Sequence, residues 1–246
     1  MAEPRPGFPA ERRGVKSFVL RAGRMSAAQK RCYEEFYPRF CLAADAAGGG
    51  FSGGMRDFAG VFGNSNPVIA EIGFGMGAAT AVIAERNPEK NYLGIEVHRP
   101  GIGRLLWEID RRGLANIRIA EGDAVEIMNC FVPDRSLAGI HVFFPDPWPK
   151  KRHHKRRLIS FPFTALLARK LALPGPSARA GYIYVVTDWE DYAGWIMEGL
   201  SRTPGLKNPC NGFAEKQAWR PETKFEHKGR EKDHGVWELY FEACGL

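Results

Sequence analysis

From Pro67 onward, apolar runs of strand length alternate with segments of helical period. "PVIAEIGFG" reads as a strand entering a glycine turn, with "AATAVIAERN" as the helix after it. The pairing repeats along the chain: "NYLGIEV" with "GIGRLLWEIDRRGL", "NIRIAEGD" with a helix from about Val125 to Phe131, "LAGIHVFFPD" with "FTALLARKLAL", and "AGYIYVVTD" with "WEDYAGWIMEGLSR". Pro100 falls in the first turn of its helix, where its missing N–H is harmless. Near the C-terminus, "GVWELYFEA" alternates Trp237, Leu239 and Phe241 against Glu238 and Glu242, the period of a strand. Repeated strand–helix units require an α/β fold: a mostly parallel, doubly wound sheet with right-handed crossovers and helices on both faces. Ligands of such sheets bind beyond the carboxyl ends of the strands. The residues that end each strand are therefore the first to read for chemistry.

Ahead of this repeat the chain is less regular. Residues 1–16, basic and Pro-rich, are expected to form a disordered arm, which leaves 17–246 as a single domain. "VKSFVLRAGRMSAAQKRCYEEFYPRF" reads as a short extended piece and then an amphipathic helix; "AADAAGGGFSGG" reads as an insertion or flexible connector. With 246 residues, 44% of them hydrophobic, the chain can bury a sizeable core without disulfides or metal. Its five cysteines are scattered with no C-x-x-C pair, which argues against a zinc knuckle and a disulfide framework. No apolar run is long enough to cross a bilayer, and the start lacks the apolar centre of a secretory signal. A cytoplasmic protein with no membrane contact is expected.

The first strand ends "EIGFGMGAAT", where Gly73, Gly75 and Gly77 let the backbone turn sharply beside a helix N-terminus. Glu71 reads as part of the same turn. The pattern G-x-G-x-x-G/A fits from Gly73 to Ala78 and serves NAD as well as S-adenosyl-L-methionine; a purely structural turn satisfies it too. Glu96 ends the second strand, 19 residues after Gly77, where a carboxylate can accept from ribose hydroxyls of either ligand or simply close a strand at the surface. Asp123 follows the third strand and can accept from an adenine amino group or cap the next helix. Several carboxylates at successive strand ends suit a sulfonium cation better than a pyrophosphate. The balance tilts to S-adenosyl-L-methionine.

The fourth strand carries the most specific stretch, "HVFFPDPWPKKRHHKRRLI". Prolines at 145, 147 and 149 fix three φ angles and forbid a helix, and they favour extended backbone at the flanked Asp146 and Trp148. Such a frame places one carboxylate and one indole rigidly, as a base-holding site requires. Six Lys or Arg follow between Lys150 and Arg157; taking them from the net charge of +7 leaves +1. A basic block inside a domain, bounded by apolar elements, points to a polyanion such as RNA. His153 and His154 belong to this block, because adjacent residues among cations make a poor metal site.

These residues resemble the bacterial tRNA (guanine-N7-)-methyltransferase family. The likeness runs from about Ser17 to Glu242, over "SFVLRAGRM", "EIGFGMG", "LGIEVHRPGIGRLL", "EGDA", "FPDPWPKKRHHKRRL", "TDWEDYAGWI" and "RPETKFEHKG". It implies a Rossmann-like class I methyltransferase fold with an antiparallel C-terminal strand, and a reaction that forms m7G in the tRNA variable loop. Carried onto matching positions, it implies Glu71, Glu96, Asp123 and Asp146 as cofactor residues, beside the three glycines, and Asp146 as the active-site residue. It implies Lys150, Asp188, Thr223, Lys224, Phe225 and Glu226 as substrate contacts, and Arg152, His153, His154, Lys155, Arg156 and Arg157 as RNA contacts. It also implies a solitary catalyst, monomer or homodimer, with tRNA as its partner.

Guanine N7 carries no proton, so the chemistry needs no general base before attack. Asp146 is free to orient the purine and to offset the positive charge growing on it. Trp148 reads either as a stacking platform for the base or as a core residue, and Asp188 either as a second base contact or as a helix cap. Three rival readings remain at this level: a dehydrogenase on the same glycine turn, an RNA-binding protein without catalysis, and a methyltransferase of exocyclic amines.

Overall fold

Ser26 opens the first helix, α1 (Ala27–Phe40), through a reciprocal cap: its hydroxyl accepts from Gln29 N at 3.3 Å, and the Gln29 side chain accepts from Ser26 N at 2.8 Å. The computed structural model describes residues 16–18, 23–42, 57–175, 179–222, 226 and 235–245. Residues 1–15 of the expected arm and the whole of the Gly-rich stretch, 43–54, lie outside that set. After β1 (Cys41–Leu42) and α2 (Phe58–Phe62) come five strand–helix pairs. They are β2 (Val68–Ile72) with α3 (Ala78–Arg86), β3 (Asn91–Glu96) with α4 (Arg99–Arg112), β4 (Ile117–Glu121) with α5 (Ala124–Cys130), β5 (Gly139–Phe143) with α6 (Phe161–Lys170), and β6 (Tyr182–Thr187) with α7 (Glu190–Ser201). β7 (Leu206–Lys207) and β8 (Trp237–Ala243) follow. Each pair that the periodicity predicts is present.

The strands form one eight-stranded sheet in the order β1-β4-β3-β2-β5-β6-β8-β7. All neighbours are parallel except β8, which runs antiparallel to both β6 and β7. Alternation along each strand divides the core. Val68, Ala70, Ile72, Ile140, Val142, Ile183 and Val185 face α5, α6 and α7, while Ile69, Ile117 and Ile119 face α1, α3 and α4. Among the described residues, no helix is long and apolar enough to cross a membrane.

On that second face, the β5–β6–β8 part of the sheet carries aromatics. His141 is fully buried, stacked on Trp219 at 4.6 Å between ring centroids, and hydrogen bonded to the Tyr182 hydroxyl at 2.9 Å. Burial pushes its pKa down to about 3, so the imidazole is neutral at physiological pH. Beside it the buried Arg220 guanidinium donates to both Glu226 oxygens at 2.7 Å and to Glu238 at 2.6 Å. One cation faces two buried carboxylates, and burial raises Glu238 to about 7.

Two glycine contacts set the geometry of the first turn. Gly75 has φ +58°, and the start of α4 packs so tightly on it that a Cβ at Gly101 would lie 2.0 Å from the Gly75 carbonyl oxygen. Gly101→Ala should force these backbones apart, destabilising the fold by about 1–3 kcal/mol. Urea denaturation should show this as a lowered midpoint at unchanged slope.

Candidate active site

The carboxyl ends of β2, β3, β4 and β5 surround a cavity of about 220 Å³. Gly73, Glu96, Gly122 and Asp146 line it, with Ser17 and Phe18 of the N-terminal segment. Among the described residues, β6 and its exit contribute nothing to its wall. Asp146 therefore stands at a boundary, with the cavity on the β2 side and the open β6 exit on the other.

Glu96 holds the glycine turn. One oxygen accepts from Gly75 N at 2.8 Å; the other accepts from Val97 N at 2.7 Å and His98 N at 3.0 Å. The alternative of a surface glutamate that merely closes the strand is set aside: Glu96 is buried. Gly73 N donates to Ile95 O at 2.8 Å and Gly122 N to Glu96 O at 3.0 Å, so the three strand exits share one hydrogen-bonded frame. Gly77, at φ +70°, starts α3, and a Cβ there would strike Leu105 of α4.

Glu71 lies on β2, not in the turn where the sequence placed it. Its carboxyl is buried, one oxygen lacks a hydrogen-bond partner, and burial with a further push from Glu96 raises its pKa to about 7 against a lowering by Thr80. Asp123 does what a capping residue does: its side chain accepts from Val125 N at 2.9 Å at the start of α5. Asp188 does not cap α7. Trp189 holds that position, and the Thr187 hydroxyl accepts from Trp189 N at 3.3 Å.

The proline frame departs from its expected geometry. Phe144 and Trp148 both precede prolines, yet they adopt φ +50° and +45°, in the left-handed region that such residues normally avoid at a cost of about 1–3 kcal/mol. Trp148 is not extended. Its half-buried indole donates from Nε1 to Ser17 O at 3.2 Å, meets His153 edge-on, and carries the Arg156 guanidinium 5.1 Å above its ring. These contacts favour packing over a free stacking platform.

The basic block folds as a 3₁₀ helix, Lys151–Arg156, with Lys150 at its start. Lys150, Lys151, Arg152 and Lys155 are exposed; His153, His154 and Arg156 are half-buried. Arg157 overturns its assignment as an RNA contact, because it is only 1% exposed. It donates to Pro147 O at 3.0 Å, pairs with Asp191 of α7, and stacks on Tyr192 and Trp195. Glu226, assigned to the substrate, is likewise buried, and Arg220 engages both of its oxygens. Thr223, Lys224 and Phe225 lie outside the described residues.

A family described as "Putative methyltransferase" matches residues 65–239. The tRNA (guanine-N(7)-)-methyltransferase of Aromatoleum aromaticum is 48% identical over 98% of this chain and 90% of its own length. The chain belongs to the tRNA (guanine-N(7)-)-methyltransferase family. A further member from Neisseria meningitidis serogroup B is 48% identical over 95% of this chain and 92% of its own. The fold is shared more widely. The 16S rRNA methyltransferase KamB superposes with a TM-score of 0.54 at 13% identity, covering 83% of this chain and 96% of that one. The aminoglycoside-resistance methyltransferase NpmB1 gives 0.51 at 16%, over 80% and 97%.

Within this methyltransferase, Glu71 binds a proton more tightly folded than unfolded, since its carboxyl sits near 7 rather than near 4.5. Its contribution favours the fold below about pH 4.5 and is lost as pH rises through 7. Glu71→Gln should remove that term. The urea midpoint of the variant relative to wild type should rise between pH 5 and pH 8.

Proposed function

We propose that the protein transfers the methyl group of S-adenosyl-L-methionine to N7 of a guanosine in the tRNA variable loop, forming m7G. The observation that carries this reading is the position of Asp146. It is exposed, held between prolines, shared between the cavity wall and the open β6 side, and followed at once by the exposed cations.

The cavity suits a cationic, hydroxyl-rich ligand. Glu96 and Asp146 line it, and no Lys or Arg among the described residues does. When bound, S-adenosyl-L-methionine supplies a methyl carbon bonded to a positive sulfur. Glu96 and Asp123 would hold its ribose and adenine ends. Guanine N7 would attack with its own lone pair and carries no proton, so no residue of the site would have to remove one. Asp146 holds the guanine edge and offsets the positive charge that arrives on the purine. Asp188 and Lys150 contact the nucleotide from the β6 side and from the start of the basic turn.

In a regular A-form stem N7 lies in a groove too narrow for side chains. The acceptor must therefore be a loop guanosine, or one drawn outward from its stack. The exposed cations grip the phosphates around it.

The test is methyl transfer from labelled S-adenosyl-L-methionine to unmodified tRNA, with the product nucleosides separated by mass spectrometry. m7G should appear with wild type, and Asp146→Ala should lower turnover by about a hundredfold or more. Folded, cofactor-binding protein that makes no m7G would overturn the reading. A second measurement separates the arginines. Arg152→Gln with Lys155→Gln should reduce the salt slope of tRNA binding by about 1.5, two phosphate contacts at roughly 0.7–0.9 each. Arg157→Met should lower the melting temperature and leave that slope unchanged.

A further inference from the structure

Resting on that reading, we infer that Trp189 is the aromatic platform on which the acceptor guanine stacks. A purine taken out of its stack loses base–base contact on its faces, and a side-chain ring restores part of it. The site therefore calls for an exposed ring beside Asp146, on the side the cofactor does not occupy. The sheet order fixes which side that is. β5 lies between β2 and β6, and the cavity takes the β2 side. The acceptor comes over the β6 exit, where the chain reads Thr187-Asp188-Trp189.

The other aromatics near this edge are engaged. The Trp148 ring carries Arg156 and its N–H is committed to Ser17 O. Phe143 stacks on His141 and meets Tyr184 edge-on. Trp195 donates to Ile159 O at 2.8 Å and packs against His154 and Arg157. Trp189 is 37% exposed, and among the described residues its ring has no aromatic or cationic partner.

Its backbone, by contrast, is well held. It caps α7 in extended conformation at φ −119°, with its N–H on the Thr187 hydroxyl. Two residues on, Asp191 pairs with Arg157, which also donates to Pro147 O next to Asp146. Phe144 N donates to Val186 O at 2.7 Å, tying the proline frame to β6 from the other end. A ring that is exposed on a backbone locked to the reacting carboxylate is the arrangement a base platform requires.

The experiment is steady-state transfer to unmodified tRNA with Trp189→Ala and Trp189→Phe. Trp189→Ala should lower kcat/KM for tRNA by about tenfold or more, the range of one lost base–aromatic contact. Trp189→Phe should keep at least half of the wild-type value. KM for S-adenosyl-L-methionine should stay within twofold, as should the salt slope, because no phosphate contact is removed. Trp189→Ala within twofold of wild type on tRNA, or Trp189→Phe falling as far as Ala, would overturn the assignment. Should Trp189→Ala fail to fold, the emission difference between wild type and Trp189→Phe decides: tRNA must quench it, and an unquenched difference overturns the platform. Wild type that methylates no tRNA guanosine would instead refute the underlying activity.

Discussion

A single carboxylate gathers the site. Glu96 accepts from the amides of Gly75, Val97 and His98, and so fastens the loop after β2 to the loop after β3. These amides have no partners in the strand ladders, and burying them without an acceptor would carry a penalty of about 1–3 kcal/mol each. With its N–H held by Glu96, Gly75 presents a carbonyl that fixes how closely α4 approaches, since only a glycine at 101 fits against it. The cavity is thus a consequence of an acid meeting three orphan donors, not of the sheet alone. Its remaining lone pairs are what a ribose would find.

Arg157 does the corresponding work on the other side of Asp146. It sits at the end of the most basic stretch in the sequence, yet its guanidinium is withdrawn beneath the surface. There it joins the proline frame, through Pro147 O, to the first turn of α7, through Asp191. A planar donor fork can serve both at once, and the Tyr192 and Trp195 rings cover it. Lys150, Lys151, Arg152 and Lys155 remain outside. The strained backbone at Phe144 and Trp148 is held between these anchors, which is how left-handed φ angles persist ahead of prolines.

Periodicity made the fold legible because each strand–helix pair is a local pattern. Ala124–Cys130 was foreseen within one residue, and the alternation of β8 was visible from Trp237, Leu239 and Phe241. The strand-end carboxylates were legible for the same reason: fold class says where to look. What local pattern misses is partnership across the chain. Arg157 looks like its neighbours Lys155 and Arg156, and only Asp191, far along the sequence, distinguishes it. Glu226 is placed at the substrate by the resemblance alone, and it is the buried Arg220 that engages both of its oxygens. Glu71 was read into the glycine turn because a glutamate inside a central strand goes against composition, and Trp148 was read as extended because the pre-proline rule is local. His141 gave no signal at all. A buried neutral imidazole is indistinguishable from a functional one until Trp219 and Tyr182 are seen around it.

Charge is arranged in opposite senses along the short path that the methyl group travels. Glu96 lines the cavity, Glu71 lies within β2, and the exposed cations of the 3₁₀ helix follow Asp146 along the chain. Attack by N7 moves positive charge from sulfur to purine, from the acidic interior toward the basic surface. Unopposed, that gradient would disfavour the step, for the purine would gain its charge beside Lys150 and Arg152. In the proposed reaction, Asp146, on the cavity wall ahead of the cations, would answer the charge where it arrives. On that proposal a carboxylate serves at this point even though no proton has to be removed, and a rigid frame serves to hold it. A mobile carboxylate would swing to the nearest ammonium and neutralise a lysine instead of a guanine. Among the described residues Asp146 makes no ion pair, and its flanking backbone carries the prolines, the left-handed Phe144 and Trp148, and the bond from Arg157 to Pro147 O.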